Sequence, residues 1–109
     1  MRTSLVIAGL LGAVAACPAA AGLVDTPECR QALAVANRYV EAVAARDKKF
    51  VPGDIATNCR LLRQNLDDMV KAVGPMDRCM SGRDHSENVG QMNASIGDIR
   101  EVLAAKCSN

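Results

Sequence analysis

The chain has 109 residues, half of them apolar, with Tyr39 and Phe50 as its only aromatic residues and no Trp; this is one domain at most, with a core of Ala, Val, Leu, Ile and Met that favours packed helices over a sheet. Thirteen Lys and Arg stand against twelve Asp and Glu, with both signs spread along the chain. There is no basic stripe to neutralise phosphates, so nucleic acid is not an expected partner.

Residues 1–21 have the three-part form of an export signal: Arg2, an apolar run from Leu5 to Ala16, then small residues. The run is about 12 residues, short of the roughly 20 that a helix needs to cross the hydrocarbon core, so no transmembrane span is expected. Two cuts compete. Ala19, Ala20 and Ala21 suit ordinary signal-peptide removal after Ala21, which leaves a domain of residues 22–109. Val14, Ala15, Ala16 and Cys17 instead resemble a bacterial lipobox, whose cysteine is acylated and heads the mature chain. The first cut implies a periplasmic or secreted protein, the second a lipid-anchored envelope lipoprotein. Both remove Cys17 from the structural thiols.

Cys29, Cys59, Cys79 and Cys107 remain, separated by about 20 to 30 residues. An even count in a small exported chain reads as a disulfide framework, because the compartment lets bridges persist and a small core needs them. Zinc sites want close pairs such as CxxC, and the same absence removes a thioredoxin-like redox site.

The first helix, about 27–50, should start at Thr26 as N-cap, with Pro27 in the first position and Glu28 in the first turn. Its seam runs Cys29, Leu33, Ala36, Val40, Val43, and Lys48 and Lys49 close it before Pro52 and Gly53. Asp54 caps the second, about 54–74, with the seam Ile55, Cys59, Leu62, Leu66, Met69, Val73. Gly74 and Pro75 break it, leaving Met76 to Ser81 as a short turn or kinked extension. The third, about 85–107, follows Asp84, which forms a D-x-x-E capping pair with Glu87; its seam is Val89, Met92, Ile96, Ile99, Leu103, with Cys107 at its end.

Three such helices with loops of about 4 to 8 residues make an antiparallel up-down-up bundle, and that topology places each cysteine. Cys29 opens the first helix and Cys79 follows the second, so both lie at one end. Cys59 and Cys107 lie at the other. From a turn near Arg83, Cys59 is about 24 residues back and Cys107 about 24 forward; from Pro52, Cys29 is about 23 back and Cys79 about 27 forward. Cys59 and Cys79 are some 20 residues apart on nearly one helix, roughly 30 Å, whereas a bridge needs Cα atoms within about 7 Å. Cys29 with Cys107 or with Cys59 would span most of the bundle. The expected bridges are Cys29 with Cys79 and Cys59 with Cys107.

Residues that could carry chemistry are sparse. The single histidine, His85, sits in the polar stretch before the third helix, where solvation is the plain reading. Asp84 and Glu87 are better explained by capping than as an acid and base. Met76, Cys79, Met80, His85 and Met92 form a loose set of soft donors that suits Cu(I), although Cys79 is committed to a bridge and Met92 to the seam. Gly90, Ala94, Gly97 and Ala104 line one stripe of the third helix, read first as close approach to its neighbours and second as a flat face for a partner or a homodimer through Gly90, Ala94 and Gly97. Asn93-Ala94-Ser95 is a glycosylation acceptor only in a eukaryotic secretory pathway.

The signal segment, with the layout Cys29, Asn58-Cys59, Arg78-Cys79-Met80 and Lys106-Cys107, resembles the small exported four-cysteine helical proteins of unassigned function found in alphaproteobacteria. No activity travels with that resemblance. In outline the module is also similar to acid-stress chaperones and to enzyme-inhibitor bundles, at the level of fold alone. The expectation is therefore a non-enzymatic exported binding or structural module, without cofactor or resident metal. Its expected partner is an envelope protein, met at the polar end formed by Arg78, Arg83, His85, Asn88 and Gln91. The alternative is a periplasmic copper or stress-response factor.

Overall fold

The computed structural model describes residues 22–107; the signal-like segment, Cys17 included, lies outside them. Three helices follow in chain order: α1, Pro27–Asp47; α2, Ile55–Cys79; and α3, Gly82–Lys106. They make the expected all-α, up-down-up bundle. α2 is its middle member, with α1 and α3 each packed along it and scarcely touching one another. No helix among the described residues is long and apolar enough to cross a membrane.

The first two helices start where their capping residues dictate. Thr26, in extended conformation, accepts the Cys29 N–H through Oγ1 at 3.1 Å, with Pro27 and Glu28 in the first turn. Asp54 accepts the Thr57 N–H at 3.0 Å and the Thr57 hydroxyl at 2.8 Å. Between the two helices the chain folds back onto α2. Asn58 donates to the Val51 carbonyl at 2.8 Å and accepts the Val51 N–H at 2.9 Å, while Gly53 takes a left-handed φ of 84°.

Three boundaries differ from the expectation. α1 stops at Asp47 with Lys48 as its C-cap, so Arg46 is the base in its last turn. α2 runs through Gly74 and Pro75 to Cys79. Proline normally disfavours helix at the preceding residue by clashing with its Cβ, and at Gly74 there is no Cβ to clash. Beyond the proline, burial of Met76 and Cys79, at 7% and 2% exposed, holds the extra turn. That extension consumes the anticipated loop, leaving Met80 and Ser81 as the only residues between the helices. α3 therefore begins at Gly82, which turns with a φ of 61°, and Asp84 lies in its first turn instead of capping it.

The core is built from Ala36 of α1, Ala72 and Met76 of α2 and Val89 of α3, with Leu33, Tyr39, Val73, Met80 and Met92 packed around them. Ile55, expected in the α2 seam, is 65% exposed. Where α1 meets α2 further along, the buried side chain is polar: Asn65, 2% exposed, accepts from Arg46 at 2.8 Å and donates to Asp47 at 3.2 Å. The two bridges have the expected pairing. Cys29–Cys79 joins α1 to α2 with Cα atoms 5.3 Å apart, and Cys59–Cys107 joins α2 to the end of α3 at 5.8 Å. Each outer helix is thus clasped to the middle one, at opposite ends.

Candidate functional site

Because α1 and α3 hold to α2 and not to each other, a groove stays open between them above α2. At 3.6 residues per turn, Met69 and Met76 fall within about 20° of one another on α2, and with Met80, the extended residue directly after its last turn, they form the floor. Leu33, Ala36 and Val40 of α1 make one wall, and Met92 of α3 the other. The rim carries Asn37 on one side and Asn88, Gln91 and Ser95 on the other, and the volume of the open groove is about 390 Å³. Four of the five methionines of the chain share this groove. Among the described residues no charged side chain lines it.

Two rim amides are already oriented. Asn88 donates to the Asp84 carbonyl at 2.9 Å, and Asn37 donates to Glu41 at 3.3 Å. Each amide leaves its carbonyl oxygen available as an acceptor. The chemistry on offer is an adaptable thioether surface with neutral hydrogen-bonding groups at its edge, able to wrap an apolar body and to orient its polar atoms.

The polar end expected as a contact surface is divided. Asn88 and Gln91 belong to the groove rim. His85 is paired with Asp77 across the α2–α3 turn, Nε2 to Oδ1 at 2.7 Å. Arg78 is exposed on the opposite side of α2 from the methionine floor, its guanidinium lying back towards Gly74. Arg83 is exposed on the outward face of α3, on the side of Gly90, Ala94 and Gly97. The five residues share one end of the bundle without converging on a single ligand.

Of the soft-donor set, Met76, Met80 and Met92 do come together, with Met69 added. Cys79 is bridged to Cys29, and His85 is turned to Asp77. Among the described residues no group of three His, Cys, Asp or Glu side chains could hold a metal ion. The soft donors left in the groove are the four thioethers, with neutral amide and hydroxyl groups at the rim.

The small-residue stripe of α3 needs a correction. A Cβ built at Gly90 or Gly97 would meet no described residue within 4 Å, so neither glycine marks close approach to a neighbouring helix. α3 packs on α2 through Val89 and Ile96 instead, and the stripe is open surface.

A second recess, of about 540 Å³, lies beside the Cys59–Cys107 bridge between Ile55, Arg63 and Lys106. Arg63 is committed there, donating to the Cys107 carbonyl at 2.7 Å. The methionine-floored groove had a signal in the sequence, since Leu33, Ala36, Val40, Met69 and Met92 all lie on expected seams. What the periodicity could not say is that those seams face an opening. Comparison with protein-family models, with curated proteins and with solved structures finds no match to this chain.

Proposed function

We propose that the chain is an exported, non-enzymatic binding module whose groove between α1 and α3 receives an uncharged apolar ligand. The observation that carries this reading is the composition of the groove, with four methionines and three aliphatic residues inside, amides and a hydroxyl at the rim, and no charged side chain among the described residues. A charged ligand would be desolvated there without a partner, which costs several kcal/mol. A neutral apolar one avoids that ionic desolvation cost, and unbranched thioethers repack around irregular shapes. The volume lies within the range of small-molecule sites, about 300–1,000 Å³. Export is supported by the two bridges, which persist in an oxidising compartment, and by the signal-like form of residues 1–21.

The test compares the neutral dye N-phenylnaphthylamine with its anionic relative anilinonaphthalenesulfonate, followed by fluorescence. The neutral dye should bind saturably and more tightly. Val40→Asp, at a wall residue already 39% exposed, should weaken it tenfold or more with the fold intact by circular dichroism. Binding that ignores Val40→Asp, or none at all, removes the proposal.

A second reading, a copper factor, is favoured by the convergence of Met76, Met80 and Met92 on one groove, since thioethers select Cu(I). Titration with Cu(I) decides it. A submicromolar site that Met92→Leu abolishes would move the assignment to the metal.

A further inference from the structure

We infer that the peptide bond between Ala21 and Gly22 is a processing site, and that the folded domain holds a receptor for the α-ammonium released there: the carboxylate of Asp84. The inference rests on the export reading above and goes beyond it, because it concerns what the domain does with its new N-terminus.

The first described residues are tied down at once. Gly22 is buried, and its carbonyl accepts the Ser81 N–H at 3.0 Å. Leu23 pairs with Met80 as an antiparallel bridge, and the Val24 N–H donates to the Cys79 carbonyl at 2.9 Å. The segment Gly22 to Val24 thus lies across the α2–α3 turn, beside the Cys29–Cys79 bridge. Its first residue is also the first residue after the expected cut.

Side-chain space at that residue is filled by Asp84. A Cβ built on Gly22 would overlap the Asp84 carboxylate, whose carbon lies 2.8 Å from the Cβ position. A backbone nitrogen is about 2.5 Å from its own Cβ, so the Gly22 nitrogen lies within about 5 Å of that carboxyl carbon. Among the described residues Asp84 pairs with no cationic side chain. Hydrolysis of the Ala21–Gly22 bond consumes one water, leaves a carboxylate on Ala21 and turns the Gly22 amide nitrogen into an ammonium. A charge then appears beside a carboxylate that has no cationic side chain as partner among the described residues, and the absence of a Cβ at Gly22 leaves room for the approach in the conformation Asp84 holds. The cut is made on the unfolded chain during export, and folding then buries the new end.

The test uses the full-length chain expressed with its own N-terminus in an exporting bacterium. Intact mass of the product should give a start at Gly22. Selective acetylation of its α-amine and Asp84→Asn should then each lower the thermal midpoint, and the double change should be less than additive by about 2–4 °C, the range of a partly exposed ion pair in a domain this size. A lipidated start at Cys17, or a cut elsewhere, overturns the processing site while leaving export standing; an uncleaved chain overturns both. A start at Gly22 with fully additive effects overturns Asp84 as the receptor.

Discussion

Arg46, in the last turn of α1, donates through Nη2 to Asp68 Oδ2 of α2 at 2.8 Å, while its Nη1 reaches the buried Asn65 at 2.8 Å. The pair is mostly shielded, with side chains 19% and 15% exposed, so each group depends on the other for its solvation. Arg46→Ala would leave Asp68 half-buried and without its partner and the Asn65 carbonyl without its donor. The expected loss is about 2–4 kcal/mol by urea denaturation with both disulfides intact. Arg46→Lys keeps the charge but not the fork, and should fall between. Equal stability for Arg46→Ala would show that the network contributes nothing beyond register.

The two bridges should differ in what they hold. Each closes a loop of about 50 residues, a constraint on the order of 4 kcal/mol by chain entropy. α3 packs on α2 less extensively than α1 does, and the far end of α3 is held by Cys59–Cys107. Replacing Cys59 and Cys107 by Ser should therefore raise amide exchange selectively over the last turns of α3. Replacing Cys29 and Cys79 should instead release the start of α1 and the bridge between Leu23 and Met80. Uniform exchange changes in both variants would contradict this division.

The glycines separate by conformation. Gly74, Gly90 and Gly97 lie inside helices, and a Cβ there meets at most the Arg78 guanidinium at 3.5 Å, an ordinary contact. Alanine at Gly90 or Gly97 should add about 0.5–1 kcal/mol each, because it removes the backbone entropy cost of glycine. Gly82, at φ 61°, should behave in the opposite sense, with Gly82→Ala losing about 1 kcal/mol. Thermal midpoints of the single variants check the signs.

What the sequence made legible was the topology and the pairing of cysteines, because residue counts about a turn fix register once three antiparallel helices are granted. Local signals also sufficed at Thr26 and Asp54, where one side chain bonds an N–H three residues on. They failed at Gly74 and Pro75, where the break was overruled by packing of Met76 and the bridge at Cys79, contacts made with residues far away in sequence. The groove was half legible. Val40, Met69 and Met92 belong to apolar seams, but periodicity reports that a face is apolar, not whether a neighbour covers it. Asn65 was invisible because a middle helix needs two seams, and the one towards α1 runs through Leu61, Asn65 and Ala72, a stripe interrupted by a polar residue.

The cap of α2 gives an acid-sensitive contribution whose sign can be worked out. Asp54 is held below its ordinary value of 3.8, first by the Thr57 N–H, then by the Thr57 hydroxyl, with Arg60 adding to the effect. A carboxyl that is more acidic folded than unfolded stabilises the fold fully above its unfolded value, and the contribution is lost as pH falls through the folded one. Asp54 should therefore steepen the fall of stability below pH 3.8. Asn at this position still accepts the Thr57 N–H but carries no charge to lose. Thermal midpoints of the chain and of Asp54→Asn, followed from pH 7 down to pH 2, should converge as the acid limit is approached, the chain being the more stable at pH 7. Parallel curves across that range would show that the Thr57 bonds do not distinguish the charged cap from the neutral one.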